Sequence, residues 1–300
     1  MPSARRRGVT IVAATYVVVV GASIAVFTAL DRLHPLVAVL VVDLGATVAV
    51  FVASSIAHNN SFYDPYWSVA PPFIAWAYAT SGTGVPGARV ALVIGAVTVW
   101  SVRLTANWAR GWPGLHHEDW RYPMLRERSG MPAWVSDFGA VHLVPTIHVW
   151  LGSLGLYAAL TLGTRDVGPL DVVAAAVVVL SAVVQLVADE QLRAHRRTGS
   201  IAPYRSGLWG LSRHPNYFGE ATMWWGVWLF GVAGNPDSWW WTLIGPVSMT
   251  ALLRGASVRL MDNRSLARRP EYDVLMRELP AMLPIGRRLL RRHAESTNVS

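Results

Sequence analysis

The feature that most constrains this chain is a series of apolar stretches spaced along almost its whole length. Residues 9–30 are nearly all apolar and follow three consecutive arginines, Arg5, Arg6 and Arg7. As a helix that stretch covers roughly 30 Å, the thickness of a bilayer core. Comparable segments run over 35–57, 67–80, 90–106, 138–162, 170–190, 217–232 and 239–258. The third is short and rich in proline and aromatics. Trp67, Trp76, Trp134, Trp150 and Trp239 to Trp241 fall towards segment ends, where indole rings favour the interface. The pattern predicts an all-α, polytopic transmembrane bundle of about eight spans.

Charge supports this reading and orients it. The 26 basic residues are all arginine against 18 acids, a formal net charge of +8. In a soluble chain that balance would point to nucleic acid; here the apolar stretches make the bilayer the partner. With the N-terminus inside, 21 arginines fall on inner segments, while Arg32, Arg89 and Arg165 fall outside. Arg103 and Arg254 lie within spans or at their ends. This asymmetry predicts that both termini are cytoplasmic and that the protein sits in the inner (plasma) membrane. Only 15% of residues are charged and 53% are hydrophobic, which excludes a disordered chain. The absence of cysteine excludes disulfides, thiolate metal sites and a cysteine nucleophile.

The first stretch could serve as a signal peptide, but it lacks a small-residue cleavage site, and seven further spans follow. Residues 1–265 read as one transmembrane domain. Residues 266–300 read as a cytoplasmic cap and tail, with an amphipathic helix around 270–278 and a frayed end over 293–300.

Most chemical information lies in Gly207-Leu208-Trp209-Gly210-Leu211-Ser212-Arg213-His214-Pro215-Asn216-Tyr217-Phe218-Gly219-Glu220. Pro215 suits the first turn of a helix, so free N–H groups and the positive dipole end lie beside Arg213 and His214. That is an anion site at the membrane surface, or equally an interfacial cap whose arginine meets lipid phosphate. Asn216 and Glu220, four apart, share one helical face with Trp224. A carboxylate inside a span is costly, so Glu220 should face protein or a water-filled cavity. Gln185, Asp189, Arg193 and Arg196 form a further face running out of the sixth span. It suits either cofactor contact or a surface ion-pair stripe.

Ser-Arg-His-Pro-Asn-Tyr-Phe-Gly-Glu resembles the signature of the steroid 5-alpha-reductase-like membrane family. The resemblance is nearest to a bacterial branch described as a domain of unknown function. Ala188-Asp189-Glu190-Gln191-Leu192, Glu118-Asp119-Trp120-Arg121-Tyr122, Arg269-Pro270-Glu271-Tyr272 and Leu279-Pro280-Ala281-Met282-Leu283-Pro284 resemble that branch too. The resemblance implies an oxidoreductase that uses NADPH to reduce a C=C bond of a lipophilic, steroid- or enone-like substrate in a cytosol-facing cavity. It implies that Asn216 and Glu220 hold the nicotinamide and ribose, with Asp189 and Arg196 at the adenosine and phosphate parts. Gln185, Arg213, His214 and Tyr217 complete the expected cofactor set.

The resemblance also places Asp64, in Phe62-Tyr63-Asp64-Pro65-Tyr66, where the reductases grip the substrate carbonyl. A protonated acid there would polarise an enone; an Asp before Pro is equally an ordinary helix cap. Arg103, within the fourth span, is a candidate by its cost there or a snorkelling side chain. Trp100 stands where the reductases carry a catalytic tyrosine, and indole donates a hydrogen bond without acting as an acid. Tyr66 or Tyr63 would then supply the phenol.

The His116-His117-Glu118-Asp119 run is a poor metal set, since adjacent residues seldom converge on one ion; its loop reads as a lid or as an ion-paired tie. His142 and His148 read as core or interface histidines. Gly82-Thr83-Gly84-Val85-Pro86-Gly87 matches GxGxxG, but without a preceding strand the Rossmann mechanism has no frame. Two rival functions remain. One is an S-adenosylmethionine-dependent methyltransferase of the isoprenylcysteine carboxyl methyltransferase type, disfavoured because Arg259-Leu260-Met261-Asp262-Asn263-Arg264 lacks paired glutamates. The other is a non-catalytic lipid-binding protein.

Overall fold

The computed structural model describes residues 2–284, so the expected fraying of 293–300 lies outside the described residues. Among the described residues the regular structure is entirely helical. α1 (Pro2–Ala29) and α2 (Pro35–Ile56) pack side by side, and Pro35 at the first turn of α2 starts that helix where a missing N–H costs nothing. A short 3-10 turn, Asn60–Phe62, leads into α3 (Tyr66–Ser81), which packs on α4 (Gly87–Gly111). After α5 (Arg121–Ser129) comes a run built from α6 (Ala133–Ser136), a π-helical turn (Asp137–Leu143), α7 (Val144–Gly152) and α8 (Leu154–Leu160). α9 (Pro169–Arg197), α10 (Pro215–Gly234), α11 (Trp239–Thr242) and α12 (Ile244–Leu252) follow. A second π-helical turn, Leu253–Ser257, joins α12 to α13 (Val258–Arg268), and α14 is Tyr272–Glu278.

Helix therefore occupies each of the eight apolar segments. Five helical runs are long and apolar enough to cross a membrane: Ala4–Ala29, Pro35–Ile56, Gly87–Gly111, Ala133–Leu160 and Pro169–Arg197. α3 is shorter, at 16 residues, and α10 carries Asn216 and Glu220. Val17, Val18 and Leu180 are 73%, 71% and 61% exposed, so their helices turn apolar faces outward, as a lipid environment requires.

The chain divides into two compact units. One comprises the residues up to Ala175 with Val227–Gly245; the other comprises Ala176–Gly226 and the chain from Pro246 on. In the first, α8 and the end of α10 cross backbone to backbone: a Cβ on Gly155 would lie 2.6 Å from the Val227 carbonyl oxygen. Small residues permit such crossings between membrane helices. In the second, Gly219 does the same between α10 and α9, where a Cβ would meet the Ser181 carbonyl oxygen at 2.9 Å.

Arg89, which charge counting places outside the membrane, is completely buried. Its Nε and Nη2 donate to the Asp171 carboxylate at 2.7 and 3.0 Å. Its Nη1 donates to the carbonyls of Gly163 and Arg165 at 2.8 and 2.6 Å, and Nη2 also to that of Asp166 at 3.0 Å. Arg89 thus pins the turn before α9 to the start of α4. The GxGxxG match lies in the neighbouring turn between α3 and α4, helical on both sides.

Candidate functional site

The Arg-His-Pro segment belongs to the second unit, and a single acid organises it. Asp262, on α13, accepts from Arg213 Nη2 at 2.8 Å and Nε at 3.3 Å, from His214 Nε2 at 2.8 Å and from the Tyr272 hydroxyl at 2.9 Å. An ionised carboxylate only accepts, so His214 carries its proton on Nε2. Burial alone would raise the Asp262 carboxyl, but the hydrogen bonds and charge of His214 and Arg213 outweigh it and hold it well below the usual carboxylate range. The Tyr272 hydroxyl is raised in turn, by burial and by that charge.

The strap after α14 closes the cluster. The Arg213 and His214 amides donate to the Pro280 and Ala281 carbonyls at 3.0 Å each, and Ser212 Oγ to Ala281 at 3.1 Å. Arg213 Nη1 donates to the carbonyls of Met276 and Leu279. The Arg213 guanidinium and the His214 N–H are therefore committed within the fold. What they offer is a fixed start for α10, where sequence alone reads open donors.

Beside this cluster lies a cavity of about 240 Å³. Six of the eight residues expected to hold a cofactor line it: Asp189, Arg196, Arg213, His214, Asn216 and Tyr217. Asn216 donates from Nδ2 to Asp189 at 3.3 Å and accepts the Tyr217 N–H at 3.0 Å, which fixes the amide. Tyr204, Trp209 and Arg269 complete the chemically distinctive part of the lining. Trp209 is anchored through Nε1 to the Ala188 carbonyl at 2.9 Å. The other two expected residues are not part of the lining. Gln185 is buried beneath Gly219, and Glu220 accepts from Trp224 Nε1 at 3.2 Å. Nothing local marks Asp262 in the sequence: it lies 48 residues from His214, in a segment without paired glutamates.

The first unit has its own cavity, about 330 Å³, into which Asp64 faces together with Asn107, His117, Asp119 and Arg121. The Tyr122 hydroxyl donates to Asp64, and Arg121 Nη2 lies 3.6 Å away. Burial pushes the Asp64 carboxyl up to about 6, against the pull of Arg121 and Tyr122. The loop that carries them is tied down. Asn59 Nδ2 donates to the carbonyls of Leu115 and His117, the Asn60 N–H donates to Glu118, and Glu118 pairs with Arg126.

Tyr66 and Arg103 are not brought to this cavity. Tyr66 points the other way and donates to Asp43 Oδ1 at 2.6 Å, while Arg103 is half-buried on α4. Trp100 is fully buried, and His142 sits in the core with Nε2 3.2 Å from Ser54 Oγ.

Comparison with known proteins bears on the chain as a whole. Residues 50–278 match the family described as Protein of unknown function (DUF1295), and the chain belongs to that family. It is similar to a Schizosaccharomyces pombe protein titled "Uncharacterized protein C594.04c", 26% identical over 253 residues, which is 75% of this chain and 73% of that protein. No solved structure matches it.

Proposed function

We propose that this DUF1295 member is an integral membrane oxidoreductase, steroid 5-alpha-reductase-like, that reduces a C=C bond of a lipophilic, enone- or steroid-like substrate with NADPH. Eight helical segments cross the inner membrane, with both termini and the cofactor cavity on the cytoplasmic side. One observation carries the reading: the cavity of about 240 Å³ that gathers Asp189, Asn216, Arg196 and Arg269 with the rings of Tyr204 and Trp209.

Those residues fit a phosphorylated nucleotide. Two guanidinium groups suit phosphate oxygens, the Asp189–Asn216 pair suits the free ribose hydroxyl, and the rings offer faces to a base. The volume suits one end of a dinucleotide, and Arg196 and Arg269 make that the end bearing the 2′-phosphate, so on this reading Asn216 holds the adenosine half and not the nicotinamide. NADPH, when bound, supplies the hydride. Asp64 is the group assigned to the substrate carbonyl: protonated below about pH 6, it donates a hydrogen bond that draws electrons from the β-carbon. Tyr122 and Arg121 orient it. The orientation rests on the arginine asymmetry and on Arg5, whose guanidinium donates to the Ala109 carbonyl at 2.7 Å, placing the N-terminal arginines beside the end of α4.

Calorimetric titration of the detergent-purified protein tests the reading. Asn216→Ala should abolish NADPH binding, and Arg196→Gln should cost NADPH at least tenfold while sparing NADH. Unchanged binding in both variants would remove the site assignment. Saturable binding of S-adenosylmethionine in place of NADPH would move the chain to methyl transfer.

A further inference from the structure

A second cavity in this unit, about 800 Å³, lies apart from the nucleotide cavity except that Arg213 borders both. One wall comes from α10 through Phe218, Ala221 and Trp225, and another from the strap after α14 through Met282 and Leu283. The polar atoms along these walls bond within the wall itself. Trp225 Nε1 donates to Thr250 Oγ1 at 3.1 Å, Thr250 Oγ1 to the Pro246 carbonyl at 2.7 Å, and Thr222 Oγ1 to the Phe218 carbonyl at 2.8 Å. Apart from its arginines, what faces the groove is largely apolar, which calls for an occupant with an apolar part.

The charge of the groove is one-sided. Its lining holds three arginines and no acid. Arg213 is neutralised by Asp262, and Arg277 is paired with Asp273. Arg254 is exposed, follows the apolar run Ala251-Leu252-Leu253, and has no hydrogen bond or ion pair among the described residues. It sits in the π-helical turn Leu253–Ser257, a local irregularity that often marks functional positions in helices. An arginine at the end of an apolar helix, over an apolar groove, is a cation placed where a membrane brings anionic headgroups.

We propose that this groove is a seat for an anionic glycerophospholipid. Its phosphate lies on Arg254, and an acyl chain runs along Phe218, Trp225 and Met282. The absence of any lining acid disfavours a zwitterionic headgroup, whose ammonium would find no partner. The occupant covers the strap whose Pro280 and Ala281 carbonyls hold the Arg213 and His214 amides. Lipid binding therefore steadies the start of α10 without touching the nucleotide cavity.

Native mass spectrometry of delipidated, detergent-solubilised protein tests this, with dioleoylphosphatidylglycerol, dioleoylphosphatidylcholine and inorganic phosphate as probes. The wild-type protein should hold one phosphatidylglycerol at least tenfold more tightly than phosphatidylcholine. Arg254→Gln and Leu283→Asp, both at exposed positions, should each lose that preference, while Arg268→Gln, outside the groove, keeps it. Phosphatidylglycerol should also raise the unfolding temperature of the wild-type protein and of Arg268→Gln, and leave Arg254→Gln unmoved. Equal affinity for the two lipids in the wild-type protein, or tight phosphatidylglycerol binding in both groove variants, would overturn the proposal. Displacement of the lipid by inorganic phosphate at matched concentration would overturn it too, since it would show a plain anion site.

Discussion

Asp64 in the first unit and Asp262 in the second are both shielded aspartates that accept a tyrosine hydroxyl and lie near an arginine, yet their proton affinities move in opposite directions. Asp262 receives two guanidinium nitrogens, an imidazole and a phenol at close range, and these outweigh burial. Asp64 receives a phenol and the Ser61 hydroxyl, neither of them charged, and its arginine is held at 3.6 Å, drawn instead to Asp119 at 2.7 Å, so burial wins. The number and geometry of donors decide whether a buried acid becomes a fixed anion or a titrating group. The first kind builds a scaffold. The second is available for proton chemistry near neutral pH.

The comparison can be broken at several points. The largest effect should come from Asp262→Ala, which leaves a buried guanidinium without its counter-charge, a loss of about 3–5 kcal/mol, read from thermal or denaturant unfolding. Tyr272→Phe removes one donor and should cost roughly 1 kcal/mol. Retention of full stability by Asp262→Ala would show that the strap, rather than the acid, holds Arg213.

The pH dependence should separate the two acids by sign. Because the folded state depresses Asp262, its contribution is present above pH 4 and is lost as pH falls through its folded pKa. Asp262→Asn should flatten that acid limb. Because the folded state raises Asp64 from 3.8 to about 6, the folded protein binds the proton more tightly, and stability declines as pH rises from about 4 through 6. Asp64→Asn should remove that decline. Under the reductase reading, Asp64→Leu spares NADPH binding and removes turnover; unchanged turnover would reduce Asp64 to a structural partner of Tyr122 and Arg121, since it does not cap α3. Tyr122→Phe is the finer probe, since losing its hydroxyl should move the Asp64 titration upward, visible as a shifted inflection in a pH–rate profile. Smallest of all, Glu220→Gln should weaken NADPH binding less than Asn216→Ala, because Glu220 bonds Trp224 and does not line the cavity.

Much of the helical layout was legible in the sequence, because apolar length and the prolines at 35 and 215 are local signals. The face of Asp189 and Arg196 and the start of α10 at Asn216 and Tyr217 were legible for the same reason: helical spacing fixes which side chains share a side. Asp262 and the phenol on Asp64 were not. Both depend on chain segments dozens of residues apart meeting in space, and hydrophobic periodicity carries no record of such meetings. Arg89 shows the same limit, since counting charges along a membrane sequence treats a clamp inside the fold as a surface charge.

Thermal unfolding of the purified protein with NADPH, NADH and S-adenosylmethionine tests the central claim most directly. A ligand at 100 times its dissociation constant stabilises the native state by about 2.7 kcal/mol, a readily measured shift. The account predicts that NADPH raises the transition, that NADH does so less, and that S-adenosylmethionine leaves it in place. A shift with S-adenosylmethionine alone, or with none of the three, would contradict it.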